Sequence, residues 1–343
     1  MPVKVLVVDD SALIRVLIPR LLGEDPEIRV VGTAADGAEA CLKIPQLSPD
    51  VVTMDVEMPR VNGLTALKRI MRECPRPVIM LSAHTTAGAR DTMESLSAGA
   101  VDFVAKPTRQ ADVPLMVQEL AEKIKMAARV VLRKSGAAPR TPSAPAPRPG
   151  RGDVDLVVIG ASTGGPVALQ KVLGSWPAGF PAAVVVVQHI PVGFSQPLAE
   201  HLAKKTALPV RHAQNNDQLL PGRVLVAPAG ADLVFRGSPG RCSVGLVPAP
   251  ADHPKSEFHP SVDGVMTSAA ETFGHRTLGV LLTGMGRDGA QGMGRIKRAG
   301  GRTIAQDKDS CVVYGMPRAA AESGVVDRVV PLSQVGPEVL YML

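Results

Sequence analysis

The sequence predicts an α/β protein made of two units, each built on a parallel β-sheet wrapped by helices. Apolar runs of about five residues alternate with helical patterns along most of the chain, as expected for βα units. The chain has 343 residues, which is longer than one hydrophobic core usually supports. A proline-rich stretch near its middle separates the two units.

The N-terminal unit contains five apolar runs separated by helical patterns. One helix is expected to be capped by Ser11, and another is expected to start near Gly63. Five βα units predict a five-stranded parallel sheet, with chemistry at the carboxyl ends of its strands. The predicted strands are residues 3–8, 29–34, 51–54, 77–81 and 101–105.

The C-terminal unit begins and ends with the same alternation. Strands are predicted at residues 154–159, 183–187 and 277–282, and helices at residues 166–174, at 194–204 and after Asp288. Between residues 206 and 250 the sequence carries short strand patterns, at 223–227 and 232–235. We therefore expect a doubly wound α/β domain with a β-rich insertion.

The stretch between the two units cannot bury apolar surface. Residues 133–152 contain five prolines and five basic residues but no acidic residue, which is typical of a solvated tether. They contribute five of the six net positive charges of the chain, so the basic pI does not indicate nucleic-acid binding. The predicted organisation is a domain over residues 1–125, a linker over 126–152 and a second domain over 153–343.

The composition indicates a cytoplasmic protein. The four cysteines lack the spacing of metal ligands, which favours reduced thiols. The first residues form a short strand pattern and do not resemble a signal peptide. Since no apolar run approaches about 18 residues, no membrane insertion is expected.

Polar residues follow four of the predicted strands of the N-terminal unit. Asp9 and Asp10 follow the first strand, Asp55 the third, Ser82 the fourth and Lys106 the fifth. These ends lie on one edge of a parallel sheet, so three carboxylates should converge and require a divalent cation or a lysine to neutralise them. Mg²⁺ suits such oxygen ligands, and Asp55 is the expected nucleophile for an acyl phosphate. For any one of these residues, a helix cap or a surface salt bridge is the alternative.

The N-terminal unit resembles the receiver domains of two-component response regulators. The matching motifs are Val-Val-Asp9-Asp10-Ser, Met-Asp55-Val-Glu57-Met-Pro, Leu-Ser82-Ala and Asp-Phe103-Val-Ala-Lys106-Pro. The resemblance implies a flavodoxin-like fold, a histidine kinase of a chemotaxis system as phosphodonor and Asp55 as phospho-acceptor. It also implies a Mg²⁺ site made by Asp10, Asp55 and the carbonyl group of Glu57.

The same resemblance implies a group of residues that respond to phosphorylation. Ser82 and Phe103 correspond to the switch pair, and Lys106 to the cation that contacts the phosphoryl group. Phe103 has no hydroxyl group, so it could act in the switch only through the packing of its ring.

In the C-terminal unit, Ser162 lies in a glycine-rich turn directly after an apolar run. The segment 160–164 reads Gly-Ala-Ser-Thr-Gly, which matches the G-x-S-x-G pattern of nucleophilic serines. Glycines allow the sharp turn and leave backbone N–H groups near the serine to bind an oxyanion. Such turns also bind phosphates or only pack tightly, so the pattern alone does not establish catalysis.

His189 and Asp288 follow two other predicted strands of this unit. Ser162, His189 and Asp288 could therefore meet at one sheet edge as a nucleophile, a base and an orienting carboxylate. Their chain order differs from the Ser–acid–His order of α/β-hydrolases, so that fold is not predicted. Backbone N–H groups for an oxyanion could come from Thr163 and Gly164, and from the 284–286 turn that contains Met285. The alternatives are a structural histidine and an Asp288 that only caps the following helix.

Residues 153–343 resemble the catalytic domain of the chemotaxis protein-glutamate methylesterases, the CheB type. The matching stretches are residues 160–166, 188–194, 259–263, 282–290 and 305–320. The resemblance implies hydrolysis of γ-glutamyl methyl esters on the cytoplasmic helices of chemoreceptors, with deamidation of glutamines there, and no cofactor for the esterase reaction. His259 is a departure, since arginine is more usual before this proline.

Three classes of function remain open from the sequence alone. The first is a serine hydrolase whose activity depends on phosphorylation of Asp55. The second is a signalling scaffold that binds receptors or a kinase without turnover; an intact Ser162, His189 and Asp288 weighs against it. The third is a DNA-binding regulator, which ranks last because nothing after residue 153 has the pattern of a helix-turn-helix.

Overall fold

The computed structural model describes residues 1–130, 154–249 and 258–343. The internal contacts of the chain divide it into two compact units, Met1–Arg140 and Thr141–Leu343. Nearly all of the predicted linker lies outside the described residues. Each unit contains a parallel sheet, which confirms the predicted α/β class.

The first unit has one five-stranded sheet in the order β2-β1-β3-β4-β5, with every neighbouring pair parallel. This order is that of flavodoxin-like folds, in which ligands bind between β1 and β3 at the carboxyl ends of the strands. The strands are β1 Val3–Val8, β2 Ile28–Ala34, β3 Val51–Asp55, β4 Val78–Ser82 and β5 Asp102–Ala105.

Five helices wrap this sheet: α1 Ile14–Leu22, α2 Gly37–Leu47, α3 Gly63–Glu73, α4 Thr86–Ser97 and α5 Val113–Ala127. The predicted start of α3 near Gly63 is confirmed, and the Asn62 side chain caps it by accepting a hydrogen bond from Thr65 N. The predicted Ser11 cap is confirmed only in part: Ser11 Oγ accepts a long hydrogen bond from Ile14 N at 3.4 Å, but α1 begins at Ile14 with Leu13 in the capping position. Ser11 lies in the preceding turn, where its amide donates to Asp9 Oδ1.

The second unit has a seven-stranded sheet in the order β14-β13-β12-β6-β7-β9-β8, with every neighbouring pair parallel. Helices cover both faces, so β6, β7 and β12 are buried along their whole length. The strands are β6 Leu156–Ala161, β7 Ala183–Gln188, β8 Val210–His212, β9 Val224–Val226, β12 Thr277–Leu281, β13 Arg302–Gln306 and β14 Arg328–Val330.

The predicted β-rich insertion needs one correction. Both β8 and β9 belong to the main sheet, and only an antiparallel hairpin, β10 Ala231–Ser238 and β11 Arg241–Pro248, stands apart from it. A short strand pattern does not reveal its pairing partner, which is set by tertiary packing. The helices are α6 Gly165–Leu173, α7 Ser195–Ala203, α8 Val262–Phe273, α9 Ala290–Arg298, α10 Met316–Glu322 and α11 Leu332–Met342. Among the helices of the described residues, none combines the length and hydropathy that crossing a bilayer requires.

Gly63 offers a test of the packing beneath Asp55. A Cβ atom at position 63 would lie 2.1 Å from the carbonyl oxygen of Asp55, so Gly63→Ala must displace backbone at the end of β3. We expect the free energy of unfolding to fall by about 2–3 kcal/mol in thermal unfolding. Gly179→Ala is the matched control, because a Cβ there meets no atom within 4 Å. Unfolding of both variants at the wild-type temperature would contradict this packing.

Candidate functional site

The strand order of the second unit brings three loops to one point on the sheet edge. The chain reverses its direction of winding between β6 and β12, and ligands bind at such a switch point in open α/β sheets. Ser162 follows β6, and its amide donates to Thr283 O, just beyond β12, at 3.0 Å. His189 follows β7, and its amide donates to Ala161 O at 2.9 Å. The sheet therefore places Ser162 next to both other loops.

The turn at Ser162 is tightly built. Gly165 N donates to Ser162 O at 2.7 Å, and Gly164 has a φ of +76°, a conformation that favours glycine. A Cβ atom at position 284 would lie 2.8 Å from Ser162 Cβ, so the neighbouring loop can approach only because Gly284 has no side chain. Ser162 is 9% exposed. The serine is therefore almost buried in a tightly packed turn.

Gln188 holds this turn against the histidine loop. Its buried side chain donates from Nε2 to Ser162 O at 2.8 Å and to His189 O at 2.9 Å. Sequence reasoning did not assign Gln188 to the site. The available signal was a polar residue at the end of an otherwise apolar strand.

Asp288 lies at the N-terminus of α8. Its Oδ2 accepts from Val262 N at 2.7 Å and from His189 Nε2 at 2.8 Å. Its Oδ1 accepts from the amides of Asp263 at 2.8 Å and Gly289 at 3.0 Å. Burial opposes ionisation, but the bonds from His189 and the backbone outweigh it and lower the pKa of Asp288.

This arrangement differs from a cap on the following helix. Gly289 is the capping residue of α9, and the carboxylate that binds the first turn of that helix is Asp263, whose Oδ1 accepts from Gly292 N at 2.7 Å. Asp288 instead binds the start of α8, 25 residues earlier in the chain. The carboxylate is thereby held by backbone amides and remains available to orient a base.

The ring of His189 has its two nitrogens in different environments. Because the Asp288 carboxylate is an acceptor, Nε2 carries the proton of their hydrogen bond. The Nδ1 atom is buried and has no hydrogen-bond partner among the described residues. Ser162 Oγ likewise makes no hydrogen bond within residues 154–249 and 258–343. In this tautomer Nδ1 has the free lone pair that a base needs.

Phe258 covers the flat face of His189. The two ring centroids are 4.1 Å apart and the planes are nearly parallel, at 6°. The His189 side chain is 1% exposed, whereas Phe258 is 55% exposed. Sequence reasoning did not identify Phe258.

Three predicted oxyanion residues surround the serine. Thr163 and Gly164 follow Ser162 directly, and Met285 follows the glycine that packs against it. Within the described part of this unit, the amides of these three residues donate no hydrogen bond. They are the available donors for developing negative charge.

The carboxylates of the first unit converge as expected from the strand ends. Asp9, Asp10 and Asp55 each place a carboxylate oxygen within 4.8 Å of the others. Lys106 Nζ lies 2.7 Å from Asp9 Oδ2 and 2.6 Å from Asp55 Oδ2. Such hard oxygen atoms fit Mg²⁺, which neutralises clustered carboxylates. The buried Asp9 joins the predicted Asp10 and Asp55.

Burial controls the charge state of Asp55. It raises the pKa of this carboxyl group to about 6, although Lys106 opposes the shift. Two acidic neighbours raise the pKa of Lys106 despite its burial, so the ammonium group stays charged. A protonated or strongly paired Asp55 is a poor nucleophile, and a divalent cation would favour its ionised form.

The other predicted receiver residues make contacts outside the carboxylate cluster. The Glu57 carboxylate accepts from Thr85 Oγ1 at 2.9 Å, and the Glu57 amide donates to Asp55 Oδ1 at 3.3 Å. Ser82 is fully buried and accepts from Thr92 Oγ1 at 2.8 Å. Phe103 is buried on β5, under the ammonium group of Lys123 at 5.6 Å from the ring centroid.

The two sites and their sheets define a serine-hydrolase-like domain attached to a receiver-like domain. The family model described as CheB methylesterase matches residues 157–339, and the model described as response regulator receiver domain matches residues 5–118. The chain therefore belongs to the CheB methylesterase family.

Named relatives and a solved structure agree with this assignment. A protein-glutamate methylesterase/protein-glutamine glutaminase of Carboxydothermus hydrogenoformans is 49% identical over 98% of each chain. One from Geobacter sulfurreducens is 44% identical, over 98% of this chain and 96% of that protein. The crystal structure of the Thermotoga maritima CheB methylesterase catalytic domain is 37% identical, with a TM-score of 0.53, over 55% of this chain and 99% of its own.

The raised pKa of Asp55 predicts a pH-dependent effect on stability. The folded value of about 6 exceeds the ordinary value of 3.8, so the native unit binds this proton more tightly and loses stability as the pH rises from about 4 to about 6. In the presence of a chelator, Asp55→Asn should be more stable than the wild type at pH 8, by about 2 kcal/mol in urea unfolding. The difference should vanish near pH 4, and a difference of equal size there would contradict the prediction.

Proposed function

We propose that the chain is a protein-glutamate methylesterase and glutaminase regulated by phosphorylation of its receiver domain. In this proposal residues 1–125 are the receiver, 126–152 the linker and 153–343 the catalytic domain. The observation that carries it is the hydrogen-bonded His189–Asp288 pair beside Ser162 at the switch point of the sheet. The names of the full-length relatives supply the class of substrate.

In the acylation step His189 Nδ1 removes the proton from Ser162 Oγ, and Oγ attacks the γ-carbonyl carbon of the substrate ester. The oxyanion that forms accepts hydrogen bonds from the amides near Thr163, Gly164 and Met285. The tetrahedral intermediate breaks its bond to the methoxy oxygen, which takes the proton from Nδ1 and leaves as methanol. Asp288 holds the imidazolium during this step.

In the second step water hydrolyses the acyl-enzyme. Nδ1 takes a proton from water, the hydroxide oxygen attacks the same carbonyl carbon, and Oγ leaves with the proton from Nδ1. The product is a glutamate carboxylate. A glutamine side chain follows the same course, except that the first leaving group is ammonia. No step needs a redox reagent.

Asp55 is the proposed phospho-acceptor of the receiver. Asp9, Asp10 and Asp55, with the main chain of Glu57, would hold Mg²⁺, which supplies positive charge for the phosphoryl oxygens when bound. Lys106 already contacts Asp55 and would transfer its hydrogen bond to a phosphoryl oxygen. Loss of this contact is the local change that Ser82 and Phe103 would transmit.

The proposed substrates are methylated or amidated residues on the cytoplasmic helices of chemoreceptors, and the proposed phosphodonor is a histidine kinase of the same cytoplasmic system. A scaffold without turnover is the second candidate class. The ordered pairing of His189 with Asp288, next to a serine without another hydrogen-bond partner among the described residues, favours the enzyme.

Replacement of the nucleophile tests the esterase assignment. Ser162→Ala should lower methanol release from a methylated chemoreceptor by about 10⁴-fold or more, because the acyl-enzyme cannot form. Asp288→Asn should keep the serine and histidine but disturb the tautomer, so its loss should be smaller. Both proteins should keep the wild-type circular dichroism spectrum. Methanol release by Ser162→Ala at the wild-type rate would contradict the proposal.

Replacement of the acceptor tests the regulation separately. Asp55→Asn should keep basal methanol release but lose stimulation by acetyl phosphate with Mg²⁺, because an amide cannot form an acyl phosphate. Asp10→Asn should weaken the binding of Mg²⁺, so that stimulation requires a higher Mg²⁺ concentration, while the acceptor stays in place. Equal stimulation of the Asp55→Asn variant and the wild type would show that another residue is phosphorylated.

A further inference from the structure

We infer that Phe258 is a positioning residue for His189, acting through the face of the imidazole ring; this inference rests on the esterase function proposed above. Hydrogen bonds act only in the plane of an imidazole ring. The bond from Nε2 to Asp288 fixes one direction in that plane but leaves rotation about that bond. The stacked Phe258 ring, parallel within 6° at 4.1 Å, blocks this rotation.

The backbone that carries Phe258 is itself anchored. His259 O accepts from Gly230 N at 2.8 Å, and His259 Nδ1 lies 2.8 Å from Asp232 Oδ2. Asp232 Oδ1 also accepts from Ser261 N at 3.0 Å. Phe258 therefore extends from a fixed segment, and its ring can act as a rigid wall.

The same segment also holds the acid of the site. Ser261 Oγ donates to Asp288 Oδ1 at 3.2 Å, and the amides that follow it bind the same carboxylate. One stretch of chain, residues 258–263, thus controls both the orientation of Asp288 and the face of His189. The hydrogen bond to Asp288 and the stacked Phe258 ring, the two restraints on His189, therefore depend on the same segment.

The exposure of the ring is consistent with this role. Phe258 is 55% exposed, so burial in a core does not explain its position, yet it shields a histidine side chain that is 1% exposed. When Nδ1 accepts the serine proton, the ring becomes a cation against an aromatic face with little access to water. An aromatic face attracts a cation within about 6 Å, which favours the imidazolium of the transition state.

The inference predicts a loss in kcat and not in KM. In the full-length protein, acting on a peptide that contains a γ-methyl glutamate ester, Phe258→Ala should lower kcat about tenfold, with KM within about twofold of the wild-type value. Phe258→Tyr should keep kcat near the wild-type value because it keeps the flat ring. Phe258→Leu should have the lowered kcat of Phe258→Ala, although it keeps much of the apolar bulk. Tyr341→Ala, which removes an exposed aromatic ring from α11, is the matched control and should have no effect.

Nuclear magnetic resonance provides a readout that does not depend on turnover. The stacked Phe258 ring should shift the His189 Cε1–H signal upfield, and Phe258→Leu should remove this ring-current shift while the thermal midpoint stays unchanged. Absence of the shift in the wild type would overturn the inference, as would an unchanged kcat in Phe258→Ala or a restored kcat in Phe258→Leu. If the wild type hydrolysed no ester, the proposed function and the positioning role would both be overturned. If the wild type hydrolysed the ester and Phe258→Ala had the same kcat, only the positioning role would be overturned.

Discussion

The catalytic geometry depends on one carboxylate bound at the start of a helix. Asp288 receives hydrogen bonds from His189 and from amides in the first turn of α8, and together these lower its pKa although most of its surface is covered. Its Oδ2 accepts from His189 Nε2 as well as from Val262 N. The bond from Nε2 leaves Nδ1 as the free ring nitrogen, so in the proposed mechanism the position of α8 determines which nitrogen acts as the base for Ser162.

The same topological rule places the polar cluster of each unit. In each unit the parallel sheet collects polar residues from several strand ends beside the switch point of the topology. In the first unit, three carboxylates and Lys106 form a charged cluster that fits a divalent cation and a phosphoryl group. In the second unit the corresponding edge contains a serine, a histidine and a carboxylate. The negative charge of the carboxylate is stabilised by hydrogen bonds from within the protein. In the proposed function, the first edge receives a phosphoryl group and the second stabilises charge that develops during ester hydrolysis.

Much of this architecture could be predicted from the sequence, because buried parallel strands read as apolar runs and their ends are marked by polar residues. That rule located Asp55, Lys106, Ser162 and His189. It failed where the decisive contact is distant in sequence. The pairing of β8 and β9 with the main sheet is one example, since a three-residue strand carries little information about its neighbour.

The site shows the same limit. The roles of Gln188 and Phe258 were not predicted, because they arise from a bond to Ser162 O and a ring stack that only the tertiary structure creates. The Ser11 cap was only partly correct, because the chain turns once more before α1 starts, so that Ser11 Oγ reaches Ile14 N only at 3.4 Å and Leu13 takes the capping position. The tautomer of His189 could not be predicted from the sequence either, because it depends on which edge of the ring faces α8.

The most direct test of the account is the tautomer of His189 in the resting protein. Nitrogen-15 NMR at pH 9, where an imidazole is ordinarily neutral, distinguishes a protonated ring nitrogen from a bare one. The account predicts that Nε2 carries the proton and that Nδ1 is bare, with Ser162→Ala leaving this assignment unchanged and Asp288→Ala mixing the two tautomers. A proton on Nδ1 in the wild type would contradict the assignment of Nδ1 as the base for Ser162.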